Sequence, residues 1–360
     1  MAIGGRNRAM AQTRCQRVAA LAFAIMILGM SGGADAAKAA SASVSPSRGY
    51  VRVLYYREGK NARASFLANP KSVDVFAPQS YSLNRSGKLA GNIDPSILAF
   101  ARKNGIKVMP LVTNRGFDQE QTHIFLQNEA KQDAAIRALT QEAKRKKFWG
   151  WQFDFEQMDV SYRDRYSAFI TKASAALKKD GFAVSVAVVA QVSENPGDYP
   201  KTLWQDVIGV YDYAALASGT DFVSVMSYDD PGSKGPIARY SWLKQVIAHG
   251  LKSIPNGKFS LGIPFYYWKW DDTRGKIIGI GGYEGIRELR ERHFLTAGYS
   301  EAEEAPFLRY ATSKKQYAIW YENGRSVRRK LDLVTANGLY GFSAWALGLE
   351  TPDVHPVLRE

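Results

Sequence analysis

The chain is poor in the residues that bind metals and form disulfides. Its 360 residues include one cysteine, Cys15, which excludes an internal disulfide and any multi-cysteine zinc or iron–sulfur site. The four histidines lie far apart, and no two have the spacing of a metal-binding pair. We therefore expect no metal site and no cofactor. The histidines are His123, His249, His293 and His355.

Long hydrophobic runs are also lacking. The one apolar run, residues 18–28, has about half of the ~20 residues that a membrane-spanning helix needs. Arginines precede it and small residues follow, up to Ala36, which is the order of a secretory signal. We predict a signal peptide over 1–36, a flexible Ala/Ser-rich lead over 37–48, and a periplasmic or secreted protein without an integral membrane segment. An uncleaved anchor is the alternative.

Acidic residues are fewer than basic ones, and the net charge is +14. Four arginines and Asp35 give the signal segment +3, which leaves +11 on the rest of the chain. Such a surface favours anionic partners, although charge that only keeps the protein soluble explains it equally well. An exported protein rarely meets nucleic acid, so we expect no nucleic-acid partner. The densest basic run, 144–147, ends a helical pattern and is interpreted as a solvated helix terminus.

Strand-like and helical patterns alternate along the chain. Continuous apolar runs are typical of parallel strands that are covered on both faces. Eight such runs separated by helical patterns predict an α/β protein, a closed (β/α)8 TIM barrel over 49–360, with an open doubly wound sheet as the alternative. The eighth run starts about 80 residues after the seventh, which predicts an inserted α+β lobe at about 271–327 between strands 7 and 8. The runs are 50–56, 73–76, 107–113, 149–155, 182–190, 222–228, 259–265 and 339–346.

Two carboxylates mark the end of the fourth predicted strand. Successive strand residues alternate faces, so Gln152, Asp154 and Glu156 point one way, with the two carboxylates only ~7 Å apart at the backbone. In a walled site both cannot ionise easily, so one pKa is expected to rise. A neutral carboxyl beside a charged one can protonate a leaving group. A Ca²⁺ site, a structural hydrogen-bond site and a salt-bridged rim remain alternatives.

The same stretch resembles the D-x-x-D-x-D-x-E motif of glycoside hydrolase family 18. Three further segments resemble family motifs at strands six, seven and eight: 226–229, 261–266 and 341–345. Segments 320–326 and 211–213 are most similar to the spore-germination and cortex-lytic N-acetylglucosaminidase branch. The resemblance covers roughly residues 50–348 and implies a TIM-barrel fold.

The resemblance also implies a substrate-assisted mechanism, in which the 2-acetamido oxygen of the sugar attacks the anomeric carbon. Glu156 would be the acid and then the base, Asp154 would stabilise the oxazolinium, and Tyr228 would donate a hydrogen bond to the acetamido oxygen. Trp345 would form the floor under the sugar. The other residues expected to bind substrate are Asp229, Gln152, Gln191, Met226 and Tyr266.

The chain departs from the family motif at two positions. Trp149 stands at the outermost aspartate and Gln152 at the middle one. The family's middle aspartate can share a proton with the residue at position 154, whereas glutamine can hydrogen-bond but cannot ionise. We expect the change at Gln152 to affect the pH profile and the rate more than the existence of activity.

These features predict an exported glycoside hydrolase that cleaves β-1,4 bonds next to N-acetylglucosamine. The expected partner is a polysaccharide that contains this sugar, with peptidoglycan or its fragments preferred. The alternatives are a chitinase or chitooligosaccharide hydrolase, a transglycosylase or endoglycosidase, and a carbohydrate-binding barrel without catalysis.

Overall fold

Residues 49–360 are described by a computed structural model, and the predicted signal peptide and lead lie outside the described residues. Eight parallel strands form a sheet in the order β1-β2-β5-β6-β7-β8-β9-β15, which closes because β15 pairs with β1. The predicted closed barrel is confirmed, and each of the eight apolar runs overlaps one of its strands, although β2 extends seven residues beyond the run 73–76. The barrel strands are β1 (Val51–Tyr56), β2 (Val75–Leu83), β5 (Leu111–Asn114), β6 (Gly150–Asp154), β7 (Ala183–Val189), β8 (Phe222–Met226), β9 (Phe259–Pro264) and β15 (Gly341–Trp345).

Two short strands extend β2, namely β3 (Leu89–Gly91), which is antiparallel to it, and β4 (Lys107–Val108), which is parallel. The helices connect successive strands, and a three-residue helix, Lys201–Leu203, precedes a π-helical turn at Trp204–Ile208. The longer helices are α1 (Lys60–Ala68), α2 (Pro95–Lys103), α3 (Gln119–Leu126), α4 (Glu129–Lys146), α5 (Arg163–Lys179), α6 (Tyr213–Gly219), α7 (Tyr240–Gly250), α8 (Tyr283–Arg292), α9 (Gly324–Ala336) and α10 (Val354–Arg359).

Local sequence explains several helix ends. Asp94 caps α2 by accepting the backbone N–H of Ser96 at 2.7 Å, and Pro95 occupies the first helical position, where its missing N–H is not needed. Gly105 and Gly181 follow α2 and α5 with φ of 68° and 83°, a left-handed conformation that glycine adopts without steric cost. Each helix therefore stops just before the next barrel strand begins.

Aromatic packing joins the barrel to its helices. Phe153 and Phe155 point outward from the end of β6 and contact Phe169 on α5, with ring centroids 5.7 and 5.9 Å away. All three side chains are almost completely buried. Burial of a phenylalanine contributes roughly 1.5–3 kcal/mol, so this cluster fixes β6 against α5 and turns the alternate residues of the strand inward.

The barrel interior changes from apolar to polar along its axis. At the end where the strands begin, Phe222 stacks on Tyr340 with centroids 4.6 Å apart, and Lys107 lies 4.6 Å above the half-buried Trp149 ring. The middle of the interior is lined by small hydroxyl side chains that are at most 1% exposed: Ser185, Ser224, Ser260 and Ser343. Carboxylates follow at the end where the strands finish.

The insertion between β9 and β15 contains a five-stranded antiparallel sheet in the order β11-β10-β14-β13-β12, with α8 on one face. This architecture confirms the predicted α+β insertion between strands 7 and 8. Its strands are more numerous than the sequence pattern indicated, because short alternating strands are weakly patterned. They are β10 (Tyr267–Asp271), β11 (Lys276–Gly281), β12 (Thr296–Ser300), β13 (Ala305–Ala311) and β14 (Gln316–Trp320).

Buried polar contacts attach this lobe to the barrel. Trp270 on β10 donates its indole N–H to the carbonyl of Gly235, which follows β8, at 2.8 Å. Lys330 on α9 donates to Glu322 at 2.8 Å, with both side chains at most 1% exposed. Across residues 49–360, every helix is too short or too polar to reach from one side of a bilayer to the other.

Candidate active site

Side chains from outside β6 hold the backbone at Glu156. The Asn114 amide donates to the Glu156 carbonyl oxygen at 2.8 Å and accepts the Glu156 backbone N–H at 3.0 Å. The Tyr211 hydroxyl donates to the carbonyl of Phe155 at 2.7 Å. Glu156 therefore occupies a fixed position two residues beyond Asp154, at the rim where the barrel strands end.

Burial controls the protonation of the two carboxyls. Asp154 is 3% exposed, and burial raises its pKa to about 7, while the neighbouring Gln79 side chain acts in the opposite direction. Glu156 is partly exposed at the rim, yet burial of its carboxyl and then the charges of Asp154 and Asp229 raise its pKa well above the usual value. The pair therefore retains a proton near neutral pH, as the i, i+2 spacing predicts.

Gln152 lies one step deeper in the barrel, under Asp154. Its amide nitrogen donates to the hydroxyls of Ser185 and Ser224, both at 2.9 Å, and the residue is completely buried. Its Oε1 and the Oδ1 of Asp154 are both buried without a hydrogen-bond partner among the described residues. An unpaired acceptor of this kind favours the protonated form of a neighbouring carboxyl, which can donate to it.

Tyr228 follows β8 and shares the site with the carboxyls. Burial raises the pKa of its hydroxyl, and the charges of Asp154, Asp229 and Glu156 act on it in the same direction. The hydroxyl therefore stays protonated and can donate a hydrogen bond. The structure thus brings together the three residues that the resemblance assigns to catalysis.

The neighbours of Tyr228 lie at the same rim of the barrel and contact one another. Asp229 has a left-handed backbone, with φ of 57°, and accepts the Tyr266 hydroxyl at 2.5 Å. Although the Asp229 side chain is open to solvent, the protein around its carboxyl raises the pKa to about 6. The Tyr266 ring meets Tyr228 edge-on at 6.2 Å. Met226 ends β8 and is partly exposed beside them.

Trp345 lies at the end of β15 with part of its ring exposed. Its ring packs on Tyr55 of β1 with centroids 5.3 Å apart, and its other contacts are with the apolar face of the inserted lobe. An indole supported from below and open above can carry a sugar ring, in agreement with the expected floor.

The structure corrects two of the expected substrate contacts. Gln152 cannot touch a ligand in the mouth because it is completely buried beneath Asp154. Gln191 is 2% exposed, and its amide nitrogen donates to the carbonyls of Ile208 and Tyr211, both at 3.1 Å. Gln152 therefore positions Asp154, and Gln191 fixes the loop that follows β7.

Three residues at the site were missed by sequence reasoning. Asn114 fixes Glu156, Gln79 lies beside Asp154, and Tyr55 lies beneath Trp345. Asn114 and Tyr55 occupy one of the last two positions of a barrel strand, and that position was the signal that could have found them. Gln79 lies in the middle of β2 and carries no such signal. Within residues 49–360, no three acidic, histidine or cysteine side chains come together to hold a metal ion.

The mouth of this closed parallel barrel, where the strands end, holds two carboxyls and a tyrosine hydroxyl. Since one carboxyl keeps its proton, this arrangement is typical of an enzyme that transfers a proton to a bound substrate. Comparison with known proteins identifies the family. The model of glycosyl hydrolases family 18 matches residues 52–350, and the chain belongs to this family, as predicted.

Individual relatives agree with the family. The chain is 26% identical over 297 residues to the uncharacterized glycosylase YvbX of Bacillus subtilis, with 80% of this chain and 84% of that protein covered. It is 24% identical over 284 residues to the cortical fragment-lytic enzyme of the same organism, with 76% and 64% covered. The crystal structure of a chitinase from Chromobacterium violaceum superposes with a TM-score of 0.76 at 25% identity, covering 86% of this chain and 98% of that one.

Proposed function

We propose that this glycoside hydrolase is exported and cleaves the β-1,4 bond next to an N-acetylglucosamine unit with retention of configuration. The observation that carries the proposal is the pair of carboxyls at the mouth end of β6, with Asp154 buried and Glu156 fixed by Asn114, beside Tyr228. Burial raises the pKa of both carboxyls, which supports a retained proton. Peptidoglycan or its fragments is the preferred substrate, which the relative named for cortical fragments supports. Export rests on the signal-like segment 1–36.

The residues fit a two-step reaction. Glu156 donates its proton to the glycosidic oxygen, and the bond from this oxygen to the anomeric carbon breaks as the acetamido oxygen bonds to that carbon. Asp154 accepts the acetamido N–H and stabilises the positive oxazolinium, while Tyr228 holds the acetamido group in line. Glu156, now a carboxylate, removes a proton from water as the water oxygen bonds to the anomeric carbon. The bond from that carbon to the acetamido oxygen breaks in the same step, which restores the free acetamido group and the protonated Glu156.

Chitin oligosaccharides are the second candidate substrate. The similarity to a solved chitinase favours them, because the match covers nearly all of that chain. Both candidates present an N-acetylglucosamine unit to the same three residues and differ in the groups beyond it.

The test compares the wild-type chain with Glu156→Gln on reduced muropeptides and on chitooligosaccharides, with mass spectrometry of the products. We expect cleavage at N-acetylglucosamine and a loss of at least ~10²-fold in turnover for the variant, the lower range for a general acid. Glu291→Gln, at an exposed glutamate on α8, is the matched control. An unchanged rate for Glu156→Gln would contradict its role, and products only from chitooligosaccharides would contradict the preference for peptidoglycan.

A further inference from the structure

The end of the barrel opposite the active site carries a dense set of basic side chains. In a (β/α)8 barrel every helix runs back against its strand, so the last turns of the helices lie where the strands begin. We call the basic side chains at the ends of α2, α4 and α5 the basal face. Counted in it are the six that are exposed and make no salt bridge within their own helix: Arg102, Lys103, Lys144, Lys147, Lys178 and Lys179.

Contacts between helix ends show that the basal face is continuous. The Arg102 guanidinium donates to the carbonyl of Lys146, which joins the end of α2 to the end of α4. Lys144 pairs with Asp180 at 2.7 Å, which joins the ends of α4 and α5. Three basic segments that are well separated in the sequence therefore form one surface.

Two lysines at the same end of the molecule, Lys178 and Lys258, bind the loops next to the end of α5. Lys178 pairs with Asp221 at 3.2 Å and donates to the carbonyl of Gly219 at 2.9 Å. Lys258, just before β9, donates to the carbonyls of Ala217 and Thr220 at 2.7 and 2.8 Å. These bonds hold the neighbouring loop ends at the same level as the helix ends.

Acidic residues do not balance the basal face. Asp180 and Asp221 neutralise two of its six cations, while the side chains of Lys103, Lys147 and Lys179 make no ion pair or hydrogen bond with any other group in residues 49–360. The helix dipole favours a base in each last turn by roughly 0.3–1 kcal/mol, which accounts for one cation at each helix end. The ends of α2, α4 and α5 each carry two or more. Like charges on one surface repel each other unless an anionic partner covers them.

Aspartates cap three helices that begin near the active site, Asp94 on α2, Asp118 on α3 and Asp212 on α6. Two of them pair with arginines, Asp94 with Arg63 and Asp212 with Arg163. The active-site carboxyls lie at this same end, so acidic and basic side chains are mixed around the mouth.

We propose that the basal face docks the protein on the anionic headgroups of a phospholipid bilayer, with the mouth of the barrel directed away from the membrane. The ends of parallel helices lie at one level, which suits a plane of phosphates better than a single polymer chain in a groove. The purpose of this orientation rests on the proposed function, because the orientation presents the active site to a polymer outside the membrane. The binding itself needs no catalysis.

The test measures sedimentation of the full chain with vesicles of phosphatidylcholine alone and with added phosphatidylglycerol, at increasing NaCl. The basal variant Lys103→Gln/Lys147→Gln/Lys179→Gln is compared with a control that has the same net charge. The control is Lys201→Gln/Lys276→Gln/Lys314→Gln, three exposed lysines elsewhere on the surface whose side chains form no ion pair or hydrogen bond with the rest of residues 49–360. The apolar run at 18–28 is common to all three proteins, so it cancels in the comparison.

The wild-type chain and the control should bind anionic vesicles with an affinity that falls as salt rises. The basal variant should bind about 100-fold more weakly, since each lysine near an anionic surface contributes roughly a factor of five. Equal losses in both triple variants would overturn the proposal, as would equal binding to neutral vesicles. Binding of soluble polyphosphate that depends on the basal lysines, without vesicle binding, would also overturn it.

Turnover of a soluble chitooligosaccharide by the same proteins separates this proposal from the proposed function. All three should retain the same turnover. The basal lysines lie at the end of the barrel opposite the active site, and the side chains of the three control lysines are not bonded to any active-site residue. A chain that binds vesicles through the basal face but hydrolyses no substrate would contradict only the function.

Discussion

The protonation of Asp154 predicts how stability depends on pH. Burial raises its pKa from 3.8 to about 7, so between these values the folded chain holds a proton that the unfolded chain has released. The free energy of unfolding of the wild-type chain should therefore fall as pH rises from about 4 to about 7, because the folded state binds more protons. Asp154→Asn removes the titrating group, so the free energy of unfolding of this variant should not show the decrease with pH that Asp154 causes.

The size of the effect follows from the shift. At about 1.4 kcal/mol per pKa unit, a rise of about three units corresponds to at most about 4 kcal/mol. Glu156 contributes with the same sign, because removal of the Asp154 charge also lowers the cost of ionising Glu156. The unfolding free energy of Asp154→Asn, relative to wild type, should increase by about 2–4 kcal/mol between pH 4 and pH 8.

Urea unfolding followed by circular dichroism at a series of pH values measures this difference. Asp164→Asn, an exposed aspartate in the first turn of α5, is the control, and its difference from wild type should vary much less with pH. If the difference between Asp154→Asn and wild type were independent of pH, or decreased as pH rises, the buried carboxyl would not carry the raised pKa on which the catalytic argument depends.

Two further predictions concern buried polar groups. Glu322→Gln should destabilise the chain by about 3–5 kcal/mol in urea unfolding, because it leaves the Lys330 ammonium buried and unpaired, and the added change Lys330→Met should recover most of the loss. A loss below about 1 kcal/mol would contradict this view of the ion pair. Gln152→Asp should move the ionisation of Asp154 in the pH–rate profile to higher pH, because a second carboxyl beneath it disfavours the charge. Gln152→Asn introduces a side chain that is equal in size to aspartate but neutral, so it should leave the pH–rate profile unchanged. Equal profiles for the two variants would contradict an effect of charge at position 152 on the ionisation of Asp154.

The sequence predicted the fold through its strand runs. Residues such as Phe153 and Phe155 alternate with Gln152 and Asp154, and eight apolar runs separated by helical patterns fit a closed parallel barrel. The inserted sheet was only partly predictable, because β11 and β12 are short, contain no buried residue and carry no continuous apolar signal. The roles of Gln152 and Gln191 were misjudged because the sequence shows the chemistry of an amide but not the depth at which it lies.

Sequence alone determined which groups are available and which face of β6 they share, since two residues along a strand return to the same side. Only the tertiary structure decided their surroundings. Burial of Asp154, the serine hydroxyls that hold Gln152, and the Asn114 bonds to Glu156 all come from other strands. The same is true of the basal face, because helix ends far apart in the chain meet only when the barrel closes. Protonation and surface charge density depend on distances through space, and the order of residues does not fix those distances.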